Sequence, residues 1–388
     1  MPIRPIVFIT ALLHLYIGLR LVPALSPWGP AGAMLAVALV VSAGAMPLPF
    51  LRMSRGKASL ADGWHWLGLL AMGWFSSLFI LTVVRDLVLL MGWGVAMAGG
   101  ATSSQPWGAW SALGVAMGAT VASLVGLVGA RRTARVRRVD IVLPGLPPAL
   151  QGFTIAQLSD LHVGPTIRRG YMERIVRKVN ALEADAVAIT GDLVDGSVPA
   201  LREHIAPLAD LRARHGTFVV TGNHEYYAGA QAWIGELRRL GLRVLLNEHV
   251  LLRPQGTRPG HGSDADALLL AGVTDFHAGH FDKAHASDPV RALAGAPAAT
   301  RTRVLLAHQP RSAPAAALAG FQLQLSGHTH GGQFWPWNFF VPLQQPLVAG
   351  LHRLHGMWVY VSRGTGYWGP PKRLGAPSEI TLLRLVGA

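Results

Sequence analysis

The sequence predicts an α/β fold in which N-terminal transmembrane helices precede a strand-and-helix sandwich, and three observations lead there. The first 130 of the 388 residues are dominated by long apolar stretches. Hydrophobic residues make up 51% of the chain and charged ones only 14%, with the charge concentrated after Arg131. Beyond Gly152, short apolar β-like runs alternate with helix-like stretches, and five of the runs end in small polar clusters. The expected division is a membrane region over 1–130, a basic juxtamembrane linker over 131–150, and a catalytic-type domain over 151–388.

Four apolar stretches are long enough to cross about 30 Å of hydrocarbon: Ile6 to Leu25, Ala31 to Phe50, Trp64 to Val84 and Trp110 to Ala130. The first does not read as a simple signal peptide, because three more follow and no small-residue cleavage site stands out after it. Arg85 and Asp86 interrupt the third region, which stays hydrophobic from Leu87 to Ala98. Either the third helix ends at Arg85 and the remainder lies at the outer interface, or one long tilted helix carries an ion pair. A fifth crossing would place the following domain on the other side.

Basic residues set the expected orientation. Arg52, Arg55 and Lys57 lie between spans two and three, and Arg131, Arg132, Arg135, Arg137 and Arg138 follow span four. The positive-inside rule then gives a multi-pass protein of the cell (inner) membrane with both termini and the second half cytoplasmic. The arginine-rich segment reads as a surface linker attracted to anionic lipid. Nucleic acid is not an expected partner, because no aromatic-interleaved basic patch accompanies it.

In the second half, Phe153 to Leu158, Ala186 to Thr190, Thr217 to Thr221, Arg303 to Ala307 and Phe321 to Leu325 are short, apolar and partly β-branched. They read as buried strands that deliver polar residues from their C-terminal ends. Arg169 to Leu182 and Gln231 to Leu240 carry charges on one side and Ile, Val or Leu on the other, as helices do. Arg253 to Ala267 reads as an exposed insertion. No G-x-G-x-x-G follows an early strand, which excludes a dinucleotide-binding dehydrogenase.

The polar clusters are D-L-H (Asp160, His162), G-D-L-V-D (Gly191 to Asp195), G-N-H-E (Gly222 to Glu225), A-H-Q-P (His308) and G-H-T-H-G-G-Q (Gly327 to Gln333). Singly each is a common turn; in this order they describe a two-metal hydrolytic site. Two divalent ions about 3.5–4 Å apart need an anionic bridge, a role that suits Asp192. Imidazole with carboxylate and amide oxygen favours Mn, Fe or Zn over Ca. The chain has no cysteine, so a thiolate zinc site and a disulfide framework are both excluded.

These blocks resemble the calcineurin-like metallophosphoesterases, over a segment from about Gly152 onward and with every ligand type kept. The later R-G-T-G-Y-W-G-P-P-K-R-L-G-A-P-S-E-I (Arg363 to Ile380) is similar to the membrane-associated bacterial branch and to transmembrane proteins with a C-terminal domain of this kind. The resemblance implies a two-sheet α/β/β/α sandwich and two divalent metal ions. Asp160, His162, Asp192 and His330 would hold the first ion, and Asp192, Asn223, His308 and His328 the second. His224 would face the scissile phosphate as a proton donor or charge stabiliser. Asp195 and Glu225 would orient the ligands by hydrogen bonds. The reaction implied is attack of a metal-bound hydroxide on phosphorus.

The expected partners are the lipid bilayer and a phosphorylated small-molecule or lipid-linked substrate, with no obligate protein partner. The competing function class is a membrane sensor or transport component with a regulatory metal domain. Three further groups stay open. His277, His280 and His285 cluster in a loop-like stretch beside a substrate or away from it. Tyr367, Trp368 and Lys372 read either as the mouth of the site or as packing at a sheet edge. The aromatic run Phe334, Trp335, Trp337, Phe339 and Phe340 reads as core, as a stacking surface or as an interfacial anchor.

Overall fold

The computed structural model describes residues 3–49, 62–99, 107–254 and 263–388. It divides into two compact units, one of Met1–Val128 with Gly369–Lys372, the other of Gly129–Trp368 with Arg373–Ala388.

The first unit is helical: α1 (Ile3–Leu21), α2 (Ala31–Ala45), α3 (Asp62–Ala98) and most of α4 (Trp107–Arg131). Ile17, Leu21, Leu35, Leu39, Phe75, Leu78, Ala112 and Ala119 form its core. Most of the large apolar side chains that the protein exposes, among them Phe8, Leu19, Val40, Leu87, Val121 and Leu124, sit on these helices. A surface of this kind suits hydrocarbon. Among the described residues two helices, α3 and α4, are long and apolar enough to cross a membrane. The apolar parts of α1 and α2, Val7–Leu21 and Ala31–Ala45, are shorter than the roughly 20 residues a span needs. Phe50 and the basic loop of Arg52, Arg55 and Lys57 lie outside the described residues.

The interruption at Arg85 and Asp86 resolves into one continuous helix of 37 residues, about 55 Å at 1.5 Å per residue. The charges are tolerated because they are consumed internally. Asp86 accepts from Arg20 Nε at 2.7 Å, Tyr16 Oη at 2.7 Å and Arg85 Nη1 at 3.1 Å. Arg85 also donates to Ser111 Oγ and to the Gly108 carbonyl. This cluster ties α1, α3 and α4 together. Lys372 belongs to the same unit, its ammonium donating to the Gly73 carbonyl at 2.8 Å, to Ser123 Oγ at 3.1 Å and to Ser77 Oγ. It packs among helices and does not line the mouth of the site.

The second unit holds two six-stranded sheets. The first runs β1 (Arg135–Leu143), β12 (Glu379–Gly387), β2 (Thr154–Leu158), β3 (Ala186–Thr190), β4 (Thr217–Val220) and β5 (Arg243–Val244). The second runs β10 (Gly350–Leu354), β11 (Met357–Val361), β9 (Leu323–Ser326), β8 (Thr302–Leu306), β7 (Leu268–Gly272) and β6 (Glu248–Leu252). Between them lies a core of Ile155, Ala188, Val220, Leu270, Val304, Leu325 and Leu383. Helix α5 (Arg169–Asn180) turns Met172, Ile175, Val176 and Val179 onto the outer face of the first sheet. Ala313 and Ala316 of a short helix cover the outer face of the second. The result is the expected α/β/β/α sandwich. Strands such as β3 read as continuous apolar runs because, in a parallel sheet with both faces covered, every side chain is buried.

Part of the stretch expected to be a linker is a strand. Arg135–Leu143 pairs in parallel with β12 through nine residues. The arginines obscured its pattern: they project from the edge strand while Ile141 and Leu143 enter the inter-sheet core. Of the insertion expected over Arg253–Ala267, residues 255–262 lie outside the described residues.

Candidate metal centre

All five polar clusters follow the C-terminal ends of strands, the edge at which open α/β sheets place their ligands. Asp160 and His162 follow β2, Asp192 and Asp195 follow β3, Asn223, His224 and Glu225 follow β4, His308 follows β8, and His328 and His330 follow β9. Parallel pairing of β2, β3 and β4, and separately of β8 and β9, brings these ends side by side. The turns are forced. Asp160, His162, Asp192, His328 and His330 all have positive φ, between 47° and 70°. Non-glycine residues persist there at a cost of about 1–3 kcal/mol each, which points to a demand on side-chain placement. Gly222 and Gly327 meet a different demand: a Cβ on Gly222 would overlap Asp192 Oδ1, and one on Gly327 would overlap Asp160 Oδ2.

Among the described residues the ligand-type atoms converge in three overlapping groups, two of them made of expected ligands and the third joining His224 to His162 and Asp192. In the first, His330 Nε2 lies 3.0 Å from His162 Nε2 and 3.5 Å from Asp160 Oδ1. In the second, His308 Nε2 lies 3.2 Å from His328 Nδ1 and 3.1 Å from Asp192 Oδ2. Asp192 Oδ2 is also 3.9 Å from His162 Nε2, so one carboxylate faces both sets. Nitrogens about 3 Å apart match neighbouring ligands of one ion bound at about 2.1 Å. Asn223 supplies a second observation. Its Oδ1 is buried and has no hydrogen-bond partner among the described residues, a costly state unless something else takes the lone pair. These residues fit a pair of divalent ions.

Neighbours fix which ring nitrogen faces inward. His308 Nδ1 lies 2.7 Å from the Thr190 carbonyl, so it carries the proton and leaves the Nε2 lone pair free. Asp195 Oδ1 accepts from His162 Nδ1 at 3.0 Å and from His224 Nδ1 at 2.6 Å, turning both Nε2 atoms toward the centre. Glu225 accepts from the backbone N–H groups of Asp192, Leu193 and Gly222, and so pins two of the ligand loops together. Burial, with the charge of Asp192 beside it, pushes the Glu225 carboxyl up to about 7. Asp192 runs the other way: burial raises it, and His308, His224 and His162 together hold it well below the usual carboxylate range.

His224 stands at the opening, less buried than the Asp160–His162 pair. Burial acts to lower it, but Asp192 and the hydrogen bond to Asp195 outweigh that and raise it to about 9. Its ring lies 5.8 Å from Trp368 and 5.3 Å from Tyr227, both half-exposed or more, which form an aromatic rim. Of the residues expected at the mouth, only Trp368 is there. Tyr367 is buried, its hydroxyl near Thr166 and Arg131. His277 and His280 stack and line a cleft of about 280 Å³ with Phe276 and Ala315. His277 also meets Gln309, the neighbour of His308, whereas His285 is held by Tyr226 and Gln231. Within the aromatic run, Phe334 is buried and Trp335, Trp337, Phe339 and Phe340 are exposed.

Sequence reasoning missed Arg373. Only 4% exposed, it donates through Nη1 to the carbonyls of His330, Arg363 and Ala376, and its Nη2 lies 3.0 Å from His330 Nδ1. A guanidinium only donates, so a neutral His330 keeps its proton on Nε2, the atom facing His162.

A family model described as calcineurin-like phosphoesterase matches residues 153–332. The chain is 43% identical over 275 residues to the transmembrane protein with metallophosphoesterase domain of Bos taurus, covering 69% of this chain and 61% of that one. It is 40% identical over 268 residues to the protein of that name from Danio rerio, covering 67% and 59%. This chain thus spans about three fifths of the length of these two relatives. An uncharacterized metallophosphoesterase of Aquifex aeolicus (strain VF5) is 32% identical over 255 residues, 65% of this chain and 92% of its own length. Kinship with proteins named as transmembrane joins the two long apolar helices in marking a membrane-associated chain. The motifs, the sandwich and these relatives agree: the chain belongs to the calcineurin-like metallophosphoesterases.

Proposed function

We propose that this protein is a membrane-anchored phosphohydrolase, built as a membrane region over 1–130 and a phosphoesterase region over 151–388, that cleaves a phosphoester or pyrophosphate bond with two divalent ions. The observation that carries the reading is the pair of converging ligand sets facing one carboxylate, Asp192, beside the unpartnered Asn223 oxygen. When bound, the ions supply Lewis-acid activation of water and neutralise charge on the phosphoryl oxygens.

The protein groups divide the remaining work. Asp160, His162, Asp192 and His330 would hold one ion, and Asp192, Asn223, His308 and His328 the other. His224, raised to about 9, enters protonated at neutral pH; its Nε2 donates to a phosphoryl or leaving-group oxygen while Asp195 keeps the proton on Nδ1. Tyr227 and Trp368 flank His224 and give the group beyond the phosphate an apolar, stackable wall. A lipid-linked substrate suits an enzyme tethered to the bilayer, because the tether raises its local concentration. The basic stretch from Arg131 to Arg138 favours the cytoplasmic side of the inner membrane for the phosphoesterase region.

The test is hydrolysis of bis-p-nitrophenyl phosphate and p-nitrophenyl phosphate by the full chain in neutral detergent, stripped of metal and then supplied with Mn. Asp192→Ala and His224→Ala serve as controls. Metal-dependent release lost in both variants supports the reading, and the ratio of the two rates separates diesterase from monoesterase. Release that survives Asp192→Ala overturns it.

A further inference from the structure

We propose that a small pocket at the end of helix α4 binds the phosphate of an anionic phospholipid, a site separate from the candidate metal centre. The pocket, about 180 Å³, is lined by Gly129, Arg132, Thr133, Arg135, Gly375 and Ser378, with the buried Arg373 beneath. Arg132 and Arg135 are both exposed. Two further cations border it: Arg174 Nε donates to Thr133 Oγ1 at 3.2 Å, and Lys178 Nζ donates to the Ala134 carbonyl at 2.7 Å. Among the described residues none of these four cations is paired with a carboxylate. The acids adjacent along the chain are engaged elsewhere: Glu379, next to Ser378, by Tyr360, Arg363 and Arg137, and Glu173, next to Arg174, by Arg169.

Elsewhere in the protein, cations near carboxylates are neutralised. Arg384 pairs with Asp140, Arg239 and Arg202 with Glu236, and Arg214 with Asp185. A concave cluster of uncompensated cations is electrostatically costly and invites an anion. The chemistry of the lining suits a phosphate: arginine forks, and glycine backbone at Gly375, whose φ of 81° brings the chain in without a side chain. Position then selects among phosphates. Gly129 belongs to the last turn of the apolar helix α4, which carries exposed Val121, Leu124, Val125 and Val128 along its preceding turns. Because α4 is long and apolar enough to cross a membrane, a phosphate held at its last turn lies at the end of a candidate span, the level at which lipid headgroups sit.

The experiment measures equilibrium binding of a fluorescent short-chain phosphatidylglycerol to the full chain in neutral detergent, with unlabelled phosphatidylglycerol, phosphatidylcholine and inorganic phosphate as competitors. Only the anionic lipid should displace the probe at micromolar concentration. Arg132→Gln with Arg135→Gln should weaken binding about 30-fold, at roughly fivefold per cation, with the melting temperature unchanged. Arg138→Gln, on the same strand but outside the lining, should leave it within about twofold. Equal loss in Arg138→Gln would show diffuse attraction and overturn the site. Equal competition by inorganic phosphate or phosphatidylcholine would overturn the lipid as its ligand. The readout is independent of hydrolysis, so an inactive enzyme that still binds the probe leaves the inference standing.

Discussion

Two buried polar clusters in this protein are built to opposite rules. Among the apolar N-terminal helices, Asp86 receives hydrogen bonds from Arg20, Tyr16 and Arg85, and Arg85 is completed by Ser111 and a carbonyl. Donors and acceptors there are matched, and the cluster is closed. At the strand ends, by contrast, imidazole nitrogens point at one another across about 3 Å and Asn223 Oδ1 has no partner among the described residues. A closed cluster is explained by the structure it ties together. An open one, held open by strained backbone and oriented by Asp195 and Glu225, is explained by what it binds.

The sharpest break of this comparison is Asp192→Ala, which removes the carboxylate facing both sets. Turnover should fall by at least about 10³-fold, with the metal content of the purified protein reduced. On the proposed role of His224 as a proton donor, His224→Ala should cost about 10²–10³-fold in kcat while metal content stays at the wild-type value. Asp195→Asn and Arg373→Lys disturb orientation only, and should weaken Mn binding, read by titration calorimetry, about 10–100-fold. The smallest effect belongs to the closed cluster. Asp86→Asn should lower stability in detergent by roughly 1–3 kcal/mol, read as a drop in melting temperature, with kcat of the folded fraction unchanged. A large loss of kcat there would erase the distinction between the two clusters.

The legible part of the sequence was the part written in local chemistry. Each ligand pair sits within a few residues of a strand end, so apolar runs and the clusters after them announce both the sandwich and the site. Arg373 carried no such signal, because its work is to fill carbonyls supplied by His330, Arg363 and Ala376, and these meet only in three dimensions. Lys372 was misplaced for the same reason, its partners lying some 250–300 residues upstream. The continuity of α3 was hidden because the charges at Arg85 and Asp86 are matched by α1 and α4. Strand β1 was hidden because its edge position tolerates arginine.

The order of strands in the first sheet carries a consequence for biogenesis. β12 lies between β1 and β2, pairing with both. The strand that follows the membrane helices therefore waits, its neighbour unmade, until the ribosome has passed Gly387, roughly 10–50 s at about 5–20 residues per second. Through that interval the apolar helices can be handed to the bilayer while the sheet is still incomplete. Closure of the first sheet comes last, when β12 enters between β1 and β2.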